Sequence, residues 1–334
     1  MFPTVSIITP SYNQADYLEE TILSVIGQNY PRLEHIVIDG GSTDRSPDIL
    51  KSYESFYNLF WNSERDNGQS AAINKGLRMA HGDIIGWLNS DDTYMPDAIS
   101  KAISHLLNNS DCGWVYGDGY WINETGKILG IYKSKPFNLR DLIVKGQYMV
   151  QPSVFFRRDL LYSVGYIDEN LHYALDTDFF IRLGLVSRAT YLPSVIATRR
   201  IHQKAKTSGN SLNFSYEHLL ALEKLFKMPG LTPEIAALKK SAFSNTYFAA
   251  GSRFLIISNY AKSREYFLKS LFSDPNVCSI EKIKALICIF EAIMGVNWYI
   301  PGQRRLFDIQ KDSLNGLNYV RWVNKEGKPT FDIQ

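Results

Sequence analysis

The chain has 334 residues, 45% hydrophobic and 13% aromatic, enough to bury one large core or two modest ones. Its 36 basic and 34 acidic residues leave a formal charge of +2, which removes the general electrostatic case for a nucleic-acid partner; any anionic ligand must be held locally. Cys112, Cys278 and Cys288 are odd in number and widely spaced, which argues against a disulfide framework and suits a reducing compartment.

The N-terminus, MFPTVSIITPSYN, enters a strand-like run at once, with no basic n-region or cleavage signal, so a cytoplasmic location is expected. Val5 to Thr9, Leu33 to Ile38, Leu59 to Asn62, Ile84 to Leu88 and Gly113 to Tyr116 are short branched or aromatic runs bounded by turn residues, as buried strands should be. Helical patterns lie between them. Leu18, Ile22, Val25 and Ile26 keep one face of the first, and Ala98, Ile99, Ala102, Ile103, Leu106 and Leu107 one face of another. Strand and helix in turn predict a mostly parallel sheet flanked by helices. Four polar clusters, TPSYN, DGGSTD, ERDNG and NSDD, then follow the first four strands. Ligands of open α/β sheets bind outside the carboxyl ends of the strands, so these clusters should line one crevice.

Further along, GYWINETGKILGIYK reads as a hairpin turning at Asn123 to Gly126, QPSVFFRR as a strand, LDTDFFIRLGLV as a helix and TYLPSVIATRR as a last strand. Beyond about residue 212 the pattern is helical, which predicts an α/β domain over 1–211 and an all-α region over 212–334. Within the latter, Tyr247, Gly251, Phe254, Ser263, Phe267, Ser270 and Pro275 have the spacing of one tetratricopeptide-like hairpin over about 244–276. A single unit cannot bury its own face, so a packed α-hairpin is the simpler reading. The apolar stretch 285–300 is interrupted by Glu291 and is shorter than the roughly 20 residues of a spanning helix.

Asp91 and Asp92 end the fourth strand as adjacent like charges. If the chain stays extended there, their side chains diverge, one toward a sugar hydroxyl and the other toward a cation. The bland alternative is a cap for the helix after Pro96. Asp39 precedes a Gly40–Gly41 turn and has the acceptor chemistry for a base N–H; Asp44 reads as a turn or helix cap, and Asp66 closes the third strand similarly.

Taken in order, VSIITPSYNQADYLEETILSVIGQNYPRLEHIVIDGGSTDRS and SERDNGQSAAINKGLRMAHGDIIGWLNSDDTYMPDA resemble the family 2 glycosyltransferases of the GT-A fold, over roughly residues 4 to 210. The resemblance implies that Thr9, Pro10, Tyr12 and Asn13 hold the nucleobase, with Asp39 accepting its N–H and Asp66 close by. Asn74 and Lys75 would support the donor pocket, Asp91 the ribose, and Asp92 would ligate Mn²⁺ or Mg²⁺. For Lys75 the alternative is a solvated helix charge. Asp176, in YALDTDFFIRLG, aligns with the general base; an N-cap role is its alternative, and Leu175 stands where the family often has Glu. Residues two apart on a helix do not share a face, so Asp178 should not work beside it. Gln151, Pro152 and Ser153 would contact sugar or acceptor. In RRIHQKAKTS, which holds Arg199, Lys204 and Lys206, Arg200 would meet the diphosphate and His202 the metal or a phosphate.

The activity so implied is inverting, metal-dependent transfer from a nucleotide-sugar, UDP-linked first of all, to a glycan or lipid-linked acceptor. The Gln-x-x-Arg-Trp motif of processive members is missing, which favours single additions. A dehydrogenase would need G-x-G-x-x-G after the first strand, where TPSYNQ has no glycine. Two rival functions remain: a nucleotidyltransferase, whose Gly-rich basic loop is also missing here, and a non-enzymatic interaction protein working through the helical tail. Arg304 and Arg305, after the apolar stretch, add the expectation of peripheral contact with an anionic membrane surface.

Overall fold

The computed structural model describes residues 2–206 and 211–274, together with helical positions 286, 287, 289, 290, 293 and 294. These form two compact units: residues up to Phe137 with Tyr148–Gln203, and Asn138–Gln147 with the chain from Lys204 on.

In chain order the elements begin β1 (Val5–Ser11), α1 (Leu18–Ile26), β2 (Leu33–Asp39), α2 (Ser46–Tyr53), β3 (Leu59–Ser63), α3 (Gln69–Met79) and β4 (Ile84–Trp87). Then come β5 (Thr93–Tyr94), α4 (Ala98–Asn108), β6 (Cys112–Ile122), β7 (Ile128–Tyr132) and α5 (Leu139–Lys145), the last in the second unit. The first unit closes with β8 (Phe155–Arg157), α6 (Leu161–Val164), α7 (Leu175–Val186) and β9 (Arg188–Arg200).

One mixed sheet has the order β3-β2-β1-β4-β8-β6-β9-β5, with β7 added on β6. The half made of β1 to β4 is parallel and in register, Ser11 opposite Asp39 and Asp39 opposite Ser63, so its carboxyl ends share one edge. Every residue of β1 is buried, as expected of a strand covered on both faces. From β8 onward the direction alternates, and β6 pairs β9 in parallel. Gly86 permits a close approach in the core: a Cβ there would lie 2.7 Å from the Tyr94 hydroxyl and 2.8 Å from Ile7.

The predicted hairpin turns at Asn123, whose side-chain oxygen accepts the Thr125 and Lys127 N–H groups at 3.0 and 2.8 Å. Gln151–Ser153 form a single 3-10 turn, and the strand starts only at Phe155, because Ser153 and Val154 donate their N–H groups back to Val150 and Gln151.

The second unit adds α8 (Ser211–Leu225), α9 (Pro233–Ala236), α10 (Lys239–Ile256) and α11 (Tyr260–Ser273). The α10–α11 hairpin closes where Gly251 meets the Phe267 ring, 2.8 Å from where a Cβ would stand, and Ser263 Oγ donates to the Gly251 carbonyl at 2.9 Å. Its likeness to a tetratricopeptide unit rests on sequence spacing alone; Pro275, like Arg304 and Arg305, lies outside the described residues. Among the described residues no helix is long and apolar enough to cross a membrane.

Candidate active site

The β1–β2 edge is built for bracing. Asp39 is fully buried; its Oδ2 accepts the Ser42 N–H at 2.8 Å and the Ser63 hydroxyl at 2.6 Å, and its Oδ1 accepts the Ser42 hydroxyl at 2.5 Å. The left-handed turn at Gly41 (φ 79°) folds Ser42 back onto it. Three internal donations thus brace the carboxylate at the end of β2. The accessible acid here is half-buried Asp66, whose Oδ1 accepts the Gly68 N–H at 2.7 Å and whose Oδ2 lies 3.0 Å from where a Cβ on Gly40 would stand.

Thr9 also departs from its expected role, turning into the core to bond His35 Nε2 at 2.9 Å; Pro10 is buried too. Asn13 (φ 52°) ties two loops, donating its N–H to Ser42 Oγ at 2.7 Å and accepting the Thr43 N–H at 2.9 Å. Tyr12, 59% exposed, leaves a ring face open to stack on a base. Ser11 was not singled out by its sequence: its buried Oγ, at the carboxyl end of β1, has no hydrogen-bond partner among the described residues. Its only sequence signal was membership of the TPSYN cluster.

Asp91 and Asp92 stand in a turn, with the Asp92 N–H donating to the Asn89 carbonyl at 3.1 Å, and not in the extended chain expected. Their side chains diverge all the same. Asp92 is 3% exposed; its Oδ1 accepts the Arg200 N–H at 2.9 Å and its Oδ2 the Asn89 amide at 3.2 Å. Burial, and then the Asp91 charge, raise the Asp92 carboxyl to about 7, against the pull of the Arg200 N–H, Arg199 and Asn89. Asp91 is the more accessible, with Oδ2 3.0 Å from His202 Nε2. His202 lies against the Tyr17 ring at 4.6 Å, its Nδ1 buried without a partner. His202 faces Asp91, while Asp92 sits behind, held by the β9 backbone.

Asp91 Oδ2 and His202 Nε2 suit a divalent cation. Among the described residues no group of three or more His, Cys, Asp or Glu side chains is arranged to hold a metal, so further ligands would have to come from diphosphate oxygens or water.

Arg200, its side chain buried, turns four of its five N–H donors to internal partners. Its Nε donates to the Asp91 carbonyl at 2.9 Å, one terminal nitrogen to the Asn123 and Glu124 carbonyls at 3.1 and 3.2 Å, and the other pairs with Glu20. Arg199 stays half-buried over the Trp121 ring at 5.1 Å, near enough to lower the carboxyl values of both Asp92 and Asp176.

Asp176 occupies the first turn of α7, half-buried, its Oδ1 accepting the Thr177 N–H at 2.7 Å. Ala174 stands at the N-cap position, so Asp176 does not cap the helix. Burial raises its carboxyl, and Arg199 and Thr177 partly offset this. Asp178 is turned away into a buried pair with Arg182 at 2.7 Å.

Four further expectations meet side chains bonded within the fold. Buried Asn74 donates to the Ile167 carbonyl and Glu169 Oε1 and accepts the Ile167 N–H, each at 2.9 Å, so it anchors the segment leading to α7. Lys75 pairs with Glu64 and donates to Asn62 at 2.7 Å. Gln151 donates to the Trp87 carbonyl at 2.7 Å, and Ser153 to the Val150 carbonyl at 2.7 Å. Asn89, which its sequence context did not single out either, joins these parts: its oxygen accepts from Gln69 at 2.9 Å and Trp87 at 3.0 Å, while its amide reaches Asp92 and Gln151.

The half-parallel sheet with its acidic edge has the GT-A architecture. Solved chains sharing the fold include TarS residues 1–349 of S. aureus in complex with UDP-GlcNAc, with a TM-score of 0.60 at 16% identity, covering 88% of this chain and 93% of that one. The mannosyltransferase PcManGT of Pyrobaculum calidifontis, in complex with GDP-Man and Mn²⁺, has a TM-score of 0.60 at 19% identity, covering 94% and 87%. In sequence, the family described as Glycosyl transferase family 2 matches residues 6–165. An uncharacterized glycosyltransferase of Mycobacterium tuberculosis is 33% identical over 199 residues, 58% of this chain and 74% of that protein. The chain belongs to glycosyltransferase family 2 and is a glycosyltransferase.

Proposed function

We propose that the chain transfers a sugar from a nucleotide-sugar, UDP-linked first of all, to a hydroxyl of a glycan or lipid-linked acceptor, with inversion and with a divalent cation. The observation that carries this reading is the half-buried Asp176 carboxylate in the first turn of α7, within electrostatic reach of Arg199, whose neighbour Arg200 donates its N–H to Asp92. TarS binds UDP-GlcNAc, and the mannosyltransferase binds GDP-Man with Mn²⁺, which supports a nucleotide-sugar donor here.

Tyr12 stacks on the base, beside Asp66. Asp91 and His202 would hold Mn²⁺ or Mg²⁺, which when bound neutralises charge on the departing diphosphate. Asp176 accepts the proton of the acceptor hydroxyl as that oxygen attacks the anomeric carbon from the opposite face. Arg199 favours the ionised carboxylate this step needs, against the effect of burial.

A thermal-shift panel of UDP-, GDP- and dTDP-sugars with Mn²⁺ tests the donor half; one of them should raise the melting temperature. Asp91→Ala should remove the metal-dependent part of that shift. Free nucleoside diphosphate as product identifies glycosyl transfer; pyrophosphate would identify nucleotidyl transfer and overturn the reading.

A further inference from the structure

The two faces of the β6–β7 hairpin differ. On one, Ile122 and Ile128 pack with Met95 in a buried cluster that Tyr120 and Val195 flank. The other carries Trp121 and, diagonally across the ladder, Tyr132, ring centroids 5.6 Å apart and inclined at 62°. Arg199 is the β9 residue in register with Trp121, and its guanidinium lies over that ring. All three are half-buried.

Arg199 has no hydrogen-bond or ion-pair partner among the described residues, in contrast to Arg200 beside it. Its peptide adjoins Asp92 through the Arg200 N–H, and it also reaches Asp176 electrostatically. A planar donor fork held over an indole suits two-point contact with an acid group, while the adjoining aromatic surface suits the apolar face of a sugar ring. The residues expected to meet the acceptor, Gln151 and Ser153, are buried and engaged elsewhere.

We propose that Trp121, Tyr132 and Arg199 form the acceptor subsite, and that the acceptor is a glycan bearing an acid group, carboxylate or phosphate, which Arg199 binds while a sugar ring stacks on Trp121. This rests on Asp176 as the base, since Arg199 then places the acid group near the attacking hydroxyl.

The test is saturation-transfer NMR on the full chain with three probes: methyl β-glucuronide, methyl β-glucoside and glycerol phosphate. At least one acid probe should give a signal about tenfold above the glucoside, the size of a charge-assisted contact. A response to the glucuronide alone identifies a carboxylate and a response to glycerol phosphate alone a phosphate. Arg199→Gln should erase the difference, Arg199→Lys should retain part of it, and Trp121→Leu should remove the ring-proton signal of the glucuronide or of the glucoside. Thermal shifts with UDP and GDP plus Mn²⁺ should be unchanged in the Arg199 variants. Equal signals from acid and neutral probes in the wild type would overturn the proposal. So would an Arg199→Gln loss of nucleotide shift as large as its loss of acid binding, which would assign the guanidinium to the diphosphate. If Arg199→Gln melts early, Arg199→Lys carries the comparison. A wild type with no nucleotide shift fails the proposed function on its own arm and leaves the acid-probe result standing.

Discussion

The two units treat a buried histidine differently. His35, in the sheet unit, is bonded at both nitrogens, to Thr9 at 2.9 Å and to Tyr57 at 2.7 Å, and burial lowers its value to about 3. His218, on α8, is lowered to about 4 by burial and by Arg253, and its Nε2 has no partner among the described residues. Both rings are neutral at physiological pH. An unmet polar atom is therefore not by itself a sign of chemistry. In the sheet unit, Ser11 ends a strand paired with that of Asp39, His202 bonds Asp91 and Arg199 reaches Asp92 and Asp176 electrostatically, whereas His218 feels the cation Arg253. Neighbours decide the meaning.

That contrast can be broken from either side. The largest effect belongs to Asp176→Asn, which should lower transfer by about 10²- to 10⁴-fold while nucleotide thermal shifts persist; near-normal turnover would remove Asp176 from the crevice chemistry. Next is Phe267→Ala in the helical unit, which deletes a fully buried ring packed on Gly251 and should cost about 3–5 kcal/mol in urea unfolding. Nucleotide binding should survive it, and its loss would show that the two units do not work separately.

Acid titration comes third. The unfolded chain protonates His218 near 6.5, the folded chain only near 4, so stability is complete above pH 6.5 and falls as the pH drops toward 4. The slope is about 1.4 kcal/mol per pH unit for each such histidine, and His218→Leu should flatten the helical unit's share. An unchanged melting profile between pH 7 and 4.5 would contradict a buried neutral ring. The smallest effect is that of Lys75→Ala: it breaks a partly exposed ion pair with Glu64, should cost about 1 kcal/mol or less, and should leave the donor KM unchanged. A large rise in that KM would return Lys75 to the donor pocket.

Element order was largely legible, as was the hairpin at Asn123, because apolar period and turn residues are local properties. The helix Leu175–Val186 follows its predicted segment from end to end. Site roles were less legible. Asp39, Asn74 and Arg200 each carry the expected chemistry, yet each is buried and bonded to internal partners that no local pattern reveals. Arg199 and Arg200 are adjacent in sequence and alternate across β9, so one braces the fold and the other stays available.

Local periodicity and the ordered polar clusters were sufficient to establish an α/β fold, its family and which acids to inspect. What they could not decide was the free valence of each group. Asp92 is closed off by the backbone of Arg200, 108 residues away, and Asp91 faces His202, 111 residues away. Hydrogen-bond capacity is finite, and only strands brought together in space determine which donor reaches a carboxylate first.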